Sequence, residues 1–65
     1  MESIFNISNG SYARVWFNDY LNEWQVDHFC RERIACLGHF QTHQDAVIRI
    51  YRLAEMWGNY TVEQA

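Results

Sequence analysis

Two spacings of apolar and polar residues divide the chain. Up to residue 40 apolar and polar positions mostly alternate one by one; from residue 42 the apolar positions recur every three to four. The first spacing is that of strands and the second that of a helix. Residues 3–8, Ser-Ile-Phe-Asn-Ile-Ser, predict a first strand. Asn9-Gly10 follows, a dipeptide that tolerates the positive φ angles of a two-residue hairpin. Residues 11–17 are rich in β-branched and aromatic side chains and predict the second strand. Alternation puts Ala13, Val15 and Phe17 on one side and Tyr12, Arg14 and Trp16 on the other. Phe5 and Ile7 join the purely apolar side.

Residues 18–22 have turn composition. Residues 23–30 then alternate cleanly, with Trp24, Val26, His28 and Cys30 facing one way and Glu23, Gln25, Asp27 and Phe29 the other. The first set is the expected core face. Arg31-Glu32-Arg33 reads as a tight connection. Residues 34–40 predict a fourth strand or a bend of the third, and Gly38 within them suggests a bulge. Both alternating sets of this segment contain apolar residues, so its facing stays open.

Residues 42–58 predict the one long helix. Thr42 is placed to cap it, and Asp45, three residues on, brings negative charge to the positive helix end. Gly58 stands where a helix stops. Between them Ala46, Val47, Ile50, Leu53, Ala54 and Trp57 form one apolar stripe. Residues 59–65 read as a polar tail expected to fray. The fold expected is α+β in a single domain of residues 1–65. It is an antiparallel meander of three to four strands with one C-terminal helix packed on one face, in the order β-β-β-β-α.

Charge narrows the possible partners. The net charge is −3, and all five basic residues are arginines. An acidic chain lacks the basic footprint that phosphate backbones require, and suits a partner whose own surface is basic. Arginine is also the cation enriched at interfaces. The first residues lack the basic and apolar regions of a secretion signal, and no apolar run approaches the ~20 residues of a membrane helix. The expected location is therefore the cytoplasm, with no membrane partner.

Candidate chemistry is sparse. His28, Cys30, Cys36, His39 and His43 have zinc-ligand identities but not zinc-site spacing, so they read as buried free cysteines with half-exposed histidines. No metal and no cofactor is assigned. Asp27 and His28 are adjacent and point to opposite faces of a strand, which prevents a dyad. The chain has no nucleophile elbow, glycine-rich phosphate loop or metal-binding triad. No catalytic residue is assigned, and the expectation is a protein that is not an enzyme.

The face left open by the helix is more informative. It carries Tyr12, Arg14, Trp16, Gln25, Asp27 and Phe29. Aromatics interleaved with arginine and carboxylates are typical of interface centres. The partner-binding candidates are Tyr12, Arg14, Trp16 and Phe29 with the carboxylates Asp19, Glu23 and Asp27. On the helix, Ile48, Tyr51 and Arg52 lie away from the core stripe and are candidates for self-association into a homodimer. An open sheet edge is the other route to one. Exposed sheet aromatics also suit a single-stranded nucleic-acid module, but Asp27 and Glu23 would repel phosphate there.

The complete plan joins an Asn-Gly hairpin in ISNGSYARVWFNDYLNEWQV, two further short strands, and the capped helix DAVIRIYRLAEMWG. In size, acidity and architecture the whole chain resembles the small proteins that bacteriophages and mobile elements encode, and among these the anti-CRISPR inhibitors. That class shares no motif, so the resemblance carries over no functional residue. It implies a non-enzymatic inhibitor in a host bacterial cell, docked on the basic, nucleic-acid-binding surface of a host protein or nucleoprotein defence complex.

Overall fold

A computed structural model describes residues 2–65. The elements are β1 (Glu2–Ile7), β2 (Tyr12–Asn18), β3 (Glu23–Cys30), β4 (Arg33–Phe40), α1 (His43–Gly58) and β5 (Val62–Gln64). The strands form one antiparallel sheet in the order β4-β3-β2-β1-β5, with the helix laid over one face. The α+β meander with a C-terminal helix expected from the alternation is the observed architecture, with one strand more.

That extra strand corrects the reading of residues 59–65 as a frayed tail. Val62–Gln64 pairs with β1, with Ile7 opposite Val62 and Phe5 opposite Gln64. Three residues are too short to show a periodicity. The chain end is held by Ser8 N–H donating to the Thr61 carbonyl at 2.9 Å and Thr61 N–H donating to Ser8 Oγ at 3.0 Å. Val62 packs against the core.

The core lies between sheet and helix. Phe5, Ile7, Ala13, Val15 and Val26 from the strands meet Ala46, Ile50 and Ala54 from the helix, and all are buried. The strand facing read from alternation is therefore the observed one. Two aromatic contacts align the helix with β3. His43 meets the edge of Trp24 at 5.0 Å, and Trp57 stacks obliquely on His28 at 4.8 Å. Trp57 belongs to the apolar stripe but is 40% exposed, because it covers the rim of the core at the last helical turn.

The helix is capped at its start as the sequence suggests, whereas at its end the left-handed cap is Asn59 and not Gly58. The Thr42 hydroxyl accepts the Asp45 N–H at 3.0 Å. At the other end the chain leaves through Gly58 and left-handed Asn59, whose N–H donates to the Glu55 carbonyl at 2.8 Å. The bulge marked by Gly38 is present too. Val26 pairs with Gly38 but Asp27 pairs with Cys36, which leaves Leu37 as the extra residue. Beyond the bulge the first half of β4 outruns the helix, and residues 33–36 are exposed.

Candidate functional site

Strand register builds the open face row by row, since residues directly opposite in antiparallel strands share a face. One row crosses the sheet as Ile34, Phe29, Tyr12, Asn6 and Glu63. The next runs Cys36, Asp27, Arg14 and Ile4, and a third runs His39, Gln25, Trp16 and Glu2. A short fourth row pairs Glu23 with Asn18. The first row is aromatic and aliphatic at its β4 end. Tyr12 and Phe29 stack in parallel with centroids 4.7 Å apart, and Ile34 beside them is 67% exposed.

The second and third rows are tied together by Asp27. Its Oδ2 accepts the Trp16 indole N–H at 2.7 Å and an Arg14 guanidinium N–H at 3.2 Å, while Oδ1 accepts the Gln25 amide at 2.8 Å. Gln25 then uses its carbonyl oxygen to accept from the Asn18 amide and from His39 Nε2, both at 3.0 Å. Arg14 also pairs with Glu2 at 3.6 Å, and its guanidinium lies over the rings of Trp16 and Phe29 at 5.3 and 5.7 Å. Burial pushes the Asp27 carboxyl up, but the hydrogen bonds from Gln25, Trp16 and Arg14, with the Arg14 charge, outweigh it and hold the group below the usual carboxylate range.

This arrangement corrects one expectation. Asp27 is on the open face, as its register requires, but it is only 6% exposed. Trp16, Arg14 and Gln25 close over it, so it organises the surface from beneath. Asp19 and Glu23 lie apart from this network, Asp19 in the exposed turn between β2 and β3 and Glu23 half-buried at the start of β3. Tyr12, Arg14, Trp16, Glu23 and Phe29 share the open face with Asp27, whereas Ile48, Tyr51 and Arg52 lie exposed on the far side of the molecule, on the helix.

Register also brings to this face residues that strand-by-strand reading left out. Glu2 and Glu63 join it from β1 and β5, and Ile34, Cys36 and His39 join it from β4. Among the described residues the open face thus holds four carboxylates, Glu2, Glu23, Asp27 and Glu63, against the single cation Arg14. Asp45 and Glu55 on the helix are matched by Arg49 and Arg52. The signal for Glu2 was its even spacing from Ile4 and Asn6. Glu63 had none, because its strand was not legible.

The cysteines also differ from expectation. Cys30 and Cys36 are both free and exposed, not buried. They lie where β3 and β4 extend past the helix, and Cys36 is on the open face while Cys30 shares the face of His28. Among the described residues no three His, Cys, Asp or Glu side chains converge on one point.

Ser11 and His28 come within hydrogen-bond distance. His28 Nε2 is 2.9 Å from Ser11 Oγ, and the Ser11 hydroxyl donates to Asn9 Oδ1. With that proton committed to Asn9, His28 Nε2 is the donor. This is the reverse of the wiring that activates a serine nucleophile. Burial holds the His28 ring below the ordinary histidine pKa, in keeping with a neutral donor packed under Trp57. The trio locks the β1–β2 hairpin to β3.

Comparison with family models, curated proteins and solved structures finds no match to this chain.

Proposed function

We propose that the protein is a non-enzymatic binding protein, an inhibitor of the anti-CRISPR kind encoded by a phage or mobile element. Its open sheet face docks on the basic, nucleic-acid-binding surface of a host defence complex. The observation that carries this reading is the segregation of charge. Among the described residues the open face holds Glu2, Glu23, Asp27 and Glu63 against Arg14 alone, while the helix is balanced. A basic partner would meet Glu23, Glu63 and Asp19 around a pre-organised patch of Tyr12, Trp16 and Phe29. The charges steer and orient the encounter, and the rings supply most of the affinity. Pre-organisation by the Asp27 network lowers the ordering cost of binding.

The rival reading, a platform for single-stranded nucleic acid, is weakened by the same geometry. Arg14 is engaged by Glu2 and Asp27, and Tyr12 and Phe29 present one ring face to each other.

The test is capture of the partner from a bacterial lysate with wild-type protein and with Asp19→Arg/Glu23→Arg. Asp27 is left intact because the face depends on it. The proposal expects a nucleic-acid-binding complex retained by the wild type, lost with the double variant, and released as salt rises. Equal retention by both proteins overturns it. So does salt-sensitive binding of short oligonucleotides by the isolated protein, which would assign the face to nucleic acid.

A further inference from the structure

The turn between β2 and β3 is exposed but closely tied. Asn18 and Glu23 are the last residues paired across the two strands, so residues 19–22 form a four-residue loop. The Asn18 side-chain oxygen accepts the backbone N–H of Tyr20 at 3.0 Å and that of Leu21 at 3.3 Å. Asn22 supplies the left-handed residue, with φ +55°, that returns the chain to β3. The same Asn18 side chain donates its amide to Gln25 Oε1 at 3.0 Å, and Gln25 in turn donates to Asp27. The loop is thus fastened to the network that organises the open face.

Two asparagines meet the backbone needs of this loop, which leaves Tyr20 and Leu21 without a part in forming it. Tyr20 is 101% exposed, so its ring touches nothing else in the chain, and Leu21 beside it is exposed too. Single exposed apolar side chains are ordinary. Here a tyrosine and a leucine stand side by side at the tip of an ordered turn, and the fold gains nothing from the ring. Tyrosine is a residue type that dominates interface anchors, because it brings a large contact area with few rotatable bonds. Asp19 precedes the pair and Glu23 follows the loop, and among the described residues neither carboxylate is paired with a cation. The basic groups at this end of the molecule are engaged elsewhere. His39 bonds Gln25, His43 packs on Trp24, and Arg49 lies over the Phe40 ring.

We propose, building on the inhibitor reading above, that this turn anchors the interface. Tyr20, with Leu21, enters an apolar pocket on the protein partner, and the rim of that pocket carries the Lys or Arg side chains that meet Asp19 and Glu23. The open face then lies against the surface beside the pocket. Because the loop is ordered in the free chain, insertion costs little further ordering. The pocket belongs to protein and not to nucleic acid, since the carboxylates flanking the ring would otherwise be set against phosphate.

The experiment compares the wild type, Tyr20→Ala and Asp19→Arg/Glu23→Arg, first alone and then against the complex captured by the wild type and purified. Alone, Tyr20→Ala is expected to keep the wild-type circular dichroism spectrum and urea midpoint. In the wild type, NMR relaxation is expected to give backbone order parameters of about 0.85 at residues 19–22. Against the partner, Tyr20→Ala is expected to raise the dissociation constant by about thirtyfold or more. With Tyr20 replaced by benzoylphenylalanine, irradiation is expected to crosslink the loop to an apolar segment of the partner protein bordered by Lys or Arg. A lowered urea midpoint for Tyr20→Ala overturns the proposal, because the ring would then serve the fold. Order parameters below about 0.6 overturn it as well, because the loop would not be ordered in advance. So does wild-type affinity in Tyr20→Ala; if Asp19→Arg/Glu23→Arg still loses the partner, the inhibitor reading stands without this anchor. Crosslinking to nucleic acid overturns the assignment to protein, and a wild type that captures nothing overturns both the anchor and the reading beneath it.

Discussion

The Asp27 carboxylate accepts the indole N–H of Trp16 at 2.7 Å across the β2–β3 pair, one row out of register. The diagonal bond lays the indole over the carboxylate and makes a charged residue the buried centre of an otherwise open sheet face. Arg14, directly opposite Asp27, completes the pair from the other side.

Replacing Asp27 with Ala is therefore expected to cost folding stability as well as any binding. It leaves Arg14, Trp16 and Gln25 without their shared acceptor, a loss of about 2–3 kcal/mol. A urea titration followed by tryptophan fluorescence measures it. A change below about 0.5 kcal/mol, the range of ordinary surface substitutions, would show that the network contributes nothing to stability.

Acid is expected to weaken the fold in two steps. His28 has a folded pKa below its unfolded value of about 6.5, so the unfolded chain binds the extra proton first. Stability is complete above that pH and falls as pH drops from about 6.5 towards the folded value. Asp27 also has a lowered folded pKa. Its contribution is complete above an unfolded value of about 4 and is lost as pH falls below that, through the folded value. Urea midpoints between pH 8 and pH 3 should show both steps, and His28→Gln should remove the upper one alone.

Truncation after Tyr60 removes β5. The variant loses the packing of Val62 and the ladder to β1, and exposes the β1 edge. A loss of about 1–2 kcal/mol is expected, somewhat less than full burial of one valine with its strand contacts. Protection of the Asn6 and Ser8 amides, which face the removed segment, should fall with it in hydrogen exchange. An unchanged urea midpoint would mean that this strand only decorates the edge.

Gly38→Ala tests the bulge. Gly38 has φ +140°, and a Cβ there would meet the Phe40 ring at 3.2 Å. Backbone strain and the contact together are expected to cost about 1–3 kcal/mol. The Phe40 ring signals in an NMR spectrum should move while those of Tyr12 and Phe29 stay in place.

Most of the architecture was legible in the sequence because it rests on local periodicity. Alternation in residues 11–17 and 23–30 named the inward residues Ala13, Val15 and Val26, since a strand with one buried face has only one acceptable register. Asn9-Gly10, Thr42 and Gly38 marked a turn, a cap and a bulge, although the turn spans residues 8–10 and only Gly10 in it takes the positive φ expected of both Asn9 and Gly10. The open face was legible for the same reason, as the other half of the alternation.

What the tertiary structure decided are the relationships between strands. A single strand shows that Asp27 points outward; only its neighbours show that Trp16, Arg14 and Gln25 cover it. Three residues at 62–64 carry too little pattern to be read as a strand, and become one because the helix returns them to the free edge of β1. Cys30 and Cys36 read as core by residue type; Cys30 is exposed because the helix ends before it reaches it, and Cys36 because its register sets it on the open face. Pattern along the chain determines which way each side chain faces. How far the covering layer extends, and which polar groups meet across strands, depends on contacts between residues distant in sequence, and folding alone brings those together.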